Sequence, residues 1–169
     1  QTLIRLMAPV LTFTAEEIWQ VLTKNPDDSV MLATWHALPE QAEESVLLAR
    51  WQQIREVRAE ASKVLEELRV AGRIGSSLQA EVEIRASGSK YELLASLGND
   101  LRLVLICSKT TLVGVAAGEE GVTAAPSPHA KCPRCWHWRE DVGVNAEHPE
   151  LCGRCDANLH GAGEVRTHA

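Results

Sequence analysis

From Leu47 the apolar residues Trp51, Ile54, Val57, Ala61, Val64 and Leu68 recur every three or four positions, the period of a helix with one buried face. A long amphipathic helix is therefore expected from about Ala42 to a stop at Gly72, with Trp51 as a core anchor. Upstream, Thr14-Ala15-Glu16-Glu17 has the form of a capping box, and Phe13 and Ile18 stand at staple spacing, so a helix should begin there and run toward Thr23. Turn residues Asn25 to Ser29 lead into the short apolar stretch Val30 to Thr34, ending at Trp35, and the chain turns again at Pro39. Beyond Gly72 the period changes. Glu81 to Arg85 alternates Val82 and Ile84 with charged neighbours, as a half-buried strand does. Tyr91, Leu93, Leu94 and Leu97 suggest a short helix, and Leu101–Ile106 and Thr111–Val115 read as two more strands, the first apolar enough to be central. Residues 118–128, rich in glycine, alanine, proline and serine, read as a linker.

These elements predict an α+β fold: a helical segment (1–72) packed with a small mixed α/β subdomain (73–117), then the linker (118–128) and a metal-binding module (129–169). The apolar share of 45% in 169 residues is ample for a packed core. No run approaches the roughly 20 apolar residues of a membrane span, and no signal peptide opens the chain, so no membrane partner is expected and a cytoplasmic setting is. A chain that opens at Gln1 with unpartnered apolar residues reads as a piece of something larger. The net charge of −6 argues against a protein that coats nucleic acid nonspecifically. Basic residues from Arg50 to Arg73 are interleaved with Glu56, Glu60, Glu66 and Glu67, as on a solvated helix face. Gly72-Arg73-Ile74-Gly75-Ser76-Ser77 lacks the spacing of a phosphate loop and precedes a strand, so it is a connector.

Cys132, Cys135, Cys152 and Cys155 follow the pattern C-x2-C-x16-C-x2-C, two knuckles that can close on one tetrahedral zinc ion. Proline and glycine in Cys132-Pro133-Arg134-Cys135 and Cys152-Gly153-Arg154-Cys155 suit the tight turns. A redox pair would need a single C-x-x-C beside a βαβ unit, whereas iron in place of zinc is compatible with the spacing. Four thiolates fill the coordination sphere, so the ion is expected to hold structure and not to catalyse. So few other apolar residues surround the cysteines that the module should depend on its metal to fold. His137, His148 and His160 could replace one cysteine in a Cys3His site, but with four well-spaced thiols at hand they are expected at the surface or beside the ligands. Cys107, next to the apolar run, is expected as a buried core residue.

The flanks of the knuckles carry a resemblance. Lys131-Cys132-Pro133-Arg134-Cys135-Trp136-His137-Trp138, then Asp141-Val142-Gly143 and Leu151-Cys152-Gly153-Arg154-Cys155, resembles the C-terminal zinc module of bacterial isoleucyl-tRNA synthetases. Met7-Ala8-Pro9-Val10-Leu11-Thr12-Phe13-Thr14-Ala15-Glu16-Glu17-Ile18-Trp19 is similar to the late part of the helical anticodon-binding domain of class Ia synthetases. Ile74-Gly75-Ser76-Ser77-Leu78-Gln79-Ala80-Glu81-Val82 resembles the start of the α/β subdomain that follows. The resemblance implies a parent enzyme that activates isoleucine with ATP and Mg2+ and transfers it to its tRNA. The HIGH and KMSKS motifs of that catalysis are absent from this chain, so aminoacylation by these residues alone is not expected. The implied role is to bind the anticodon side of isoleucine tRNA, with the remaining domains of the parent as partners in cis.

Within that role Trp136 or Trp138 could stack on an unpaired base, a contact worth about 1 to 3 kcal/mol, or could form the small core around the metal. Lys131, Arg134, Arg139 and Arg154 could meet phosphates, or could balance the charge of the thiolates. Two other classes remain open: a DNA-binding zinc finger like that of the formamidopyrimidine-DNA glycosylases, and a structural staple without RNA affinity of its own.

Overall fold

The computed structural model describes residues 1–40 and 42–164. It forms two compact units, Gln1–Glu44 and a second that begins at Ser45. The long helix, grouped by sequence with the first segment, lies with the second. The last positions of the expected metal module, 165–169, fall outside the described residues.

In the first unit, α1 (Thr2–Met7) and α2 (Thr12–Thr23) pack with a 3-10 turn, Val30–Leu32. Their core is Ile4, Ala8, Ala15, Trp19 and Val30. The expected capping box does not form: α2 starts at Thr12, and its N-cap Leu11 makes no side-chain cap bond. The turn out of α1 brings the Leu11 carbonyl to the Ala15 amide at 2.8 Å, which extends the helix past Thr14. Glu16 has a different task. Its carboxylate accepts from Ser29 Oγ and from the Val30 amide, both at 3.0 Å, and so anchors the 3-10 turn. Phe13 is 86% exposed, so the staple is absent too. The Arg5 guanidinium lies 5.2 Å from the Trp19 ring centroid and donates to the Thr34 carbonyl at 3.1 Å.

In the second unit, α3 (Glu44–Val70) buries Ile54, Val57, Ala61, Leu65 and Leu68. Its i, i+3, i+4 stripe is the one expected, but the buried part begins at Ile54. Trp51 is 39% exposed and is not a core anchor. The helix ends in a Schellman turn: the Gly72 amide donates to Arg69 and the Arg73 amide to Leu68, each at 3.0 Å. Gly72, at φ +68, supplies the left-handed residue this turn requires. The charged face pairs as expected, with Arg69 and Glu66 in a bidentate contact at 2.8 and 2.6 Å.

The sheet has the order β2-β1-β3. Strand β1 (Ala80–Ala86) is central, parallel to β2 (Lys109–Gly114) and antiparallel to β3 (Gly121–Pro126). Its inward residues Val82, Ile84 and Ala86 are buried with Leu94, Leu101 and Leu105 and with the stripe of α3. Two sequence expectations fail here. Leu101–Ile106 is no strand: α5 (Leu101–Leu105) buries Leu101 and Leu105, four residues apart. A parallel β1–β2 pair needs a crossover, which α4 (Gly88–Ala95) and α5 provide. Nor is 118–128 a linker. It holds β3, whose Val122 and Ala124 face the core while their neighbours face solvent. Pro126, which cannot donate to a ladder, ends this edge strand. Among the described residues no helix is long and apolar enough to cross a membrane.

Candidate metal centre and its surroundings

Directly after β3 the chain enters a small hairpin, β4 (Ala130–Lys131) with β5 (Trp138–Arg139), whose connection is the first knuckle. The Cys132 amide donates to the His137 carbonyl and the Trp136 amide to the Cys132 carbonyl, both at 2.9 Å. The second knuckle opens α6 (Gly153–His160), with Cys152 at its N-cap. Asp141 joins the two halves. It takes a bidentate contact from Arg139 at 2.9 and 3.2 Å and accepts from the Gly153 amide at 3.2 Å. A Cβ on Gly153 would stand 3.0 Å from Asp141 Oδ2, so the glycine permits this close approach.

All four sulfurs of Cys132, Cys135, Cys152 and Cys155 lie within 4.8 Å of one another. A tetrahedral ion about 2.3 Å from each thiolate sets neighbouring sulfurs about 3.8 Å apart; Cys135 Sγ and Cys152 Sγ stand at 3.7 Å. The donor set therefore fits zinc. Cys132, Cys152 and Cys155 are fully buried, and among the described residues Val142, Leu151 and Cys135 are the partly buried hydrophobics packed beside them. Burial works against a Cys132 thiolate, yet backbone amides of Cys135, Cys152 and Arg134 outweigh it and bring its pKa down to about 6. The Cys152 amide also lies 3.5 Å from Cys132 Sγ, and Arg134 Nη1 lies 3.7 Å from Cys155 Sγ. By contrast, burial pushes the Cys135 and Cys152 thiols up. A cation at the centre would be what holds those two deprotonated.

The histidines take separate places. His137 is 8% exposed, with Nδ1 3.1 Å from the Cys135 carbonyl; burial and the nearby Arg102 hold its pKa down. It is thus buried beside the cysteines. His148 pairs with Asp156 at 2.8 Å and stacks on His160 with ring centroids 3.7 Å apart.

The two tryptophans separate. Trp138 is half-buried and ties the hairpin to the sheet, its amide donating to Ser108 Oγ at 2.6 Å. Ser108 in turn donates to the Leu78 carbonyl. Trp136 is 61% exposed, with Lys131 Nζ 5.7 Å from its ring centroid. Its φ of 64° is a left-handed conformation rare for a bulky residue, taken up in the turn that its amide closes onto the Cys132 carbonyl. Of the basic residues marked in the sequence, Arg139 is held by Asp141, and Arg154 is held by Glu164 at 2.5 and 2.8 Å. Arg134 reaches toward a thiolate; Lys131 stays exposed beside Trp136. Ser108 and Arg102 escape sequence reading, because only the fold brings them to residues thirty positions and more downstream.

Comparison with known proteins agrees with this geometry at both ends of the chain. Residues 1–84 match the anticodon-binding domain of tRNA ligases, and residues 131–158 match the zinc finger found in FPG and IleRS. An isoleucine–tRNA ligase of Aromatoleum aromaticum is 62% identical over 100% of the chain, and one of Azoarcus sp. is 58% identical over the same span. A third, from Dechloromonas aromatica, is 60% identical over 98% of the chain. The chain spans 18% of the length of each of these curated relatives.

Proposed function

This chain belongs to the isoleucine–tRNA ligase family, matching its C-terminal region, and from that premise we propose that it binds the anticodon side of isoleucine tRNA around a structural zinc ion. Cys132, Cys135, Cys152 and Cys155 are the ligands in this reading. Zinc supplies the cohesion that so few apolar side chains cannot, on the order of 10 to 16 kcal/mol in zinc-finger peptides. It takes no part in bond making.

The observation that carries the RNA assignment is Trp136. The first knuckle holds an exposed indole in a left-handed conformation, with Lys131 beside it to meet a phosphate. An unpaired anticodon-loop base stacked there would gain about 1 to 3 kcal/mol. Arg139 and Arg154 contribute to RNA binding chiefly by shaping the module, since each already has a carboxylate partner. Exposed apolar residues of the first unit, among them Val10, Phe13 and Leu32, suit burial against further segments of a synthetase in cis. Aminoacylation with ATP and Mg2+ belongs to those other segments, in a cytoplasmic enzyme.

One observation favours a second reading, a structural staple. Arg134, Arg139 and Arg154 all reach partners inside the module, and Ser108 fastens the module to the sheet. Titrating the zinc-loaded chain into isoleucine tRNA, the same tRNA with its anticodon loop replaced, and a DNA duplex, at one salt concentration, separates the readings. Preference for the intact tRNA supports anticodon-side binding. Absent binding to all three leaves the staple, and equal binding to tRNA and duplex DNA favours a general nucleic-acid finger.

A further inference from the structure

A cavity of about 310 Å³ opens in the second unit where the sheet meets the zinc hairpin, at the lower end of the range for ligand pockets, about 300 to 1,000 Å³. Its lining includes Glu81, Arg102, Ser108, Lys109, Arg139 and Glu140. Three of these six polar groups are already engaged. Glu81 accepts from Ser127 Oγ at 2.8 Å and faces His129 Nε2 at 3.5 Å. Ser108 bridges Leu78 and Trp138, and Arg139 is held by Asp141. Glu140 is exposed.

Arg102 differs. Its Nη1 is buried without a hydrogen-bond partner among the described residues. A buried donor left unmatched is costly, and a charged one more so. Burial, then the charges of Arg139 and Arg154, push its pKa below the usual arginine range, while Glu164 and Cys135 act in the opposite direction. Lys109, a second cation of the lining, is exposed.

We propose that this cavity seats one phosphate group, with the half-buried Arg102 guanidinium as its inner donor and Lys109 as the exposed cation. The choice of a phosphate in the RNA backbone as its source rests on the tRNA reading above; a free phosphate offers the same chemistry. The site would position the strand through a backbone contact, separately from the base that Trp136 meets.

The test measures binding of the 169-residue chain to the anticodon stem-loop of isoleucine tRNA across a salt series, for wild type, R102Q, K109Q and W136A. Zinc content and thermal melting serve as folding controls. R102Q should weaken binding about tenfold or more and flatten the slope of log K against log salt by about 0.7 to 0.9, one phosphate contact. W136A should weaken binding with little change of slope. An R102Q chain that keeps its zinc and the wild-type slope overturns the proposal. Should R102Q fail to fold, K109Q decides, and an unchanged slope there overturns it equally. Inorganic phosphate, added at constant ionic strength, identifies the source: competition in wild type but not in R102Q means that any phosphate is taken, and no competition means that only the backbone phosphodiester is. If no variant and no wild type binds RNA, the tRNA reading fails while this one still stands or falls on inorganic phosphate. A higher melting temperature in wild type but not in R102Q upholds it, and no difference refutes it.

Discussion

Replacing Cys152 by serine should release the metal and unfold the hairpin, both knuckles and α6, while the sheet and α3 persist. The magnitude follows from how little else holds the module. Apart from cysteine, the hydrophobics packed on its buried cluster among the described residues are Val142 and Leu151, both partly exposed. Complete burial of two such side chains would contribute about 3 to 6 kcal/mol, and partial burial less. Ordering the backbone costs about 1 to 2 kcal/mol per residue, so a stretch of this length cannot stay folded on those contacts. Losing one thiolate of four removes the largest favourable contribution. Cys152 is also the N-cap of α6 and donates its amide toward Cys132 Sγ, so the loss falls on both knuckles. The sheet has its own core in Val82, Ile84, Leu94 and Leu101 and does not share this dependence. Zinc would be counted with a chelating dye, and amide hydrogen exchange would be read separately for residues 130–160 and 80–126. Full zinc content in C152S, or protection of the module equal to wild type, would refute the ligand assignment and the energetic reasoning together.

Three further expectations concern the remainder of the chain. Ile84→Ala, at a fully buried position on the central strand, should destabilise the second unit by about 2 to 5 kcal/mol in urea unfolding. Ile106→Gly should stabilise it by up to about 1 kcal/mol, because this β-branched residue sits at φ 57° in the turn that ends α5, where only glycine is unstrained. Cys107 is buried, and burial pushes its thiol above its ordinary pKa. The neutral thiol is the favoured form in the fold, so its contribution to stability is full below the ordinary thiol range and is lost as pH rises through the raised value. Iodoacetamide at pH 8 should therefore spare Cys107 in the folded chain and label it in urea.

The elements legible in the sequence were those with a long, unambiguous period. The stripe of α3 and the alternation of Val82 and Ile84 each commit many residues to one face, and both formed. Short apolar runs were ambiguous. Leu101–Ile106 satisfies a buried strand and a buried helical turn alike, and only the parallel pairing of β1 with β2 decides for the crossover helix. Strand β3 was hidden by composition, since glycine, alanine and proline signal loops while their alternating burial depends on β1 being beside them. The capping box failed because a preceding helix supplied the first turn from its own backbone. In the metal centre the cysteine spacing pointed to the cluster, because ligand geometry is local to each knuckle. Arg102, Ser108 and the cavity they line arise from tertiary placement, and no spacing rule reaches them.

Strand β1 must wait for both of its neighbours. Glu81 meets its β2 partner Lys109 and its β3 partner Ala125 only across long intervening segments, and it is bonded to Ser127, 46 positions later. On a ribosome the central strand therefore emerges well before either edge can cover it, and non-local closure of this kind is slow. The last strand to arrive leads within a few residues to Cys132. The second knuckle, Cys152 and Cys155, emerges only well after β3 has ended at Pro126, so the sheet can close before all four ligands are out, and a zinc-starved cell would accumulate chains with a complete sheet and an unfolded metal module.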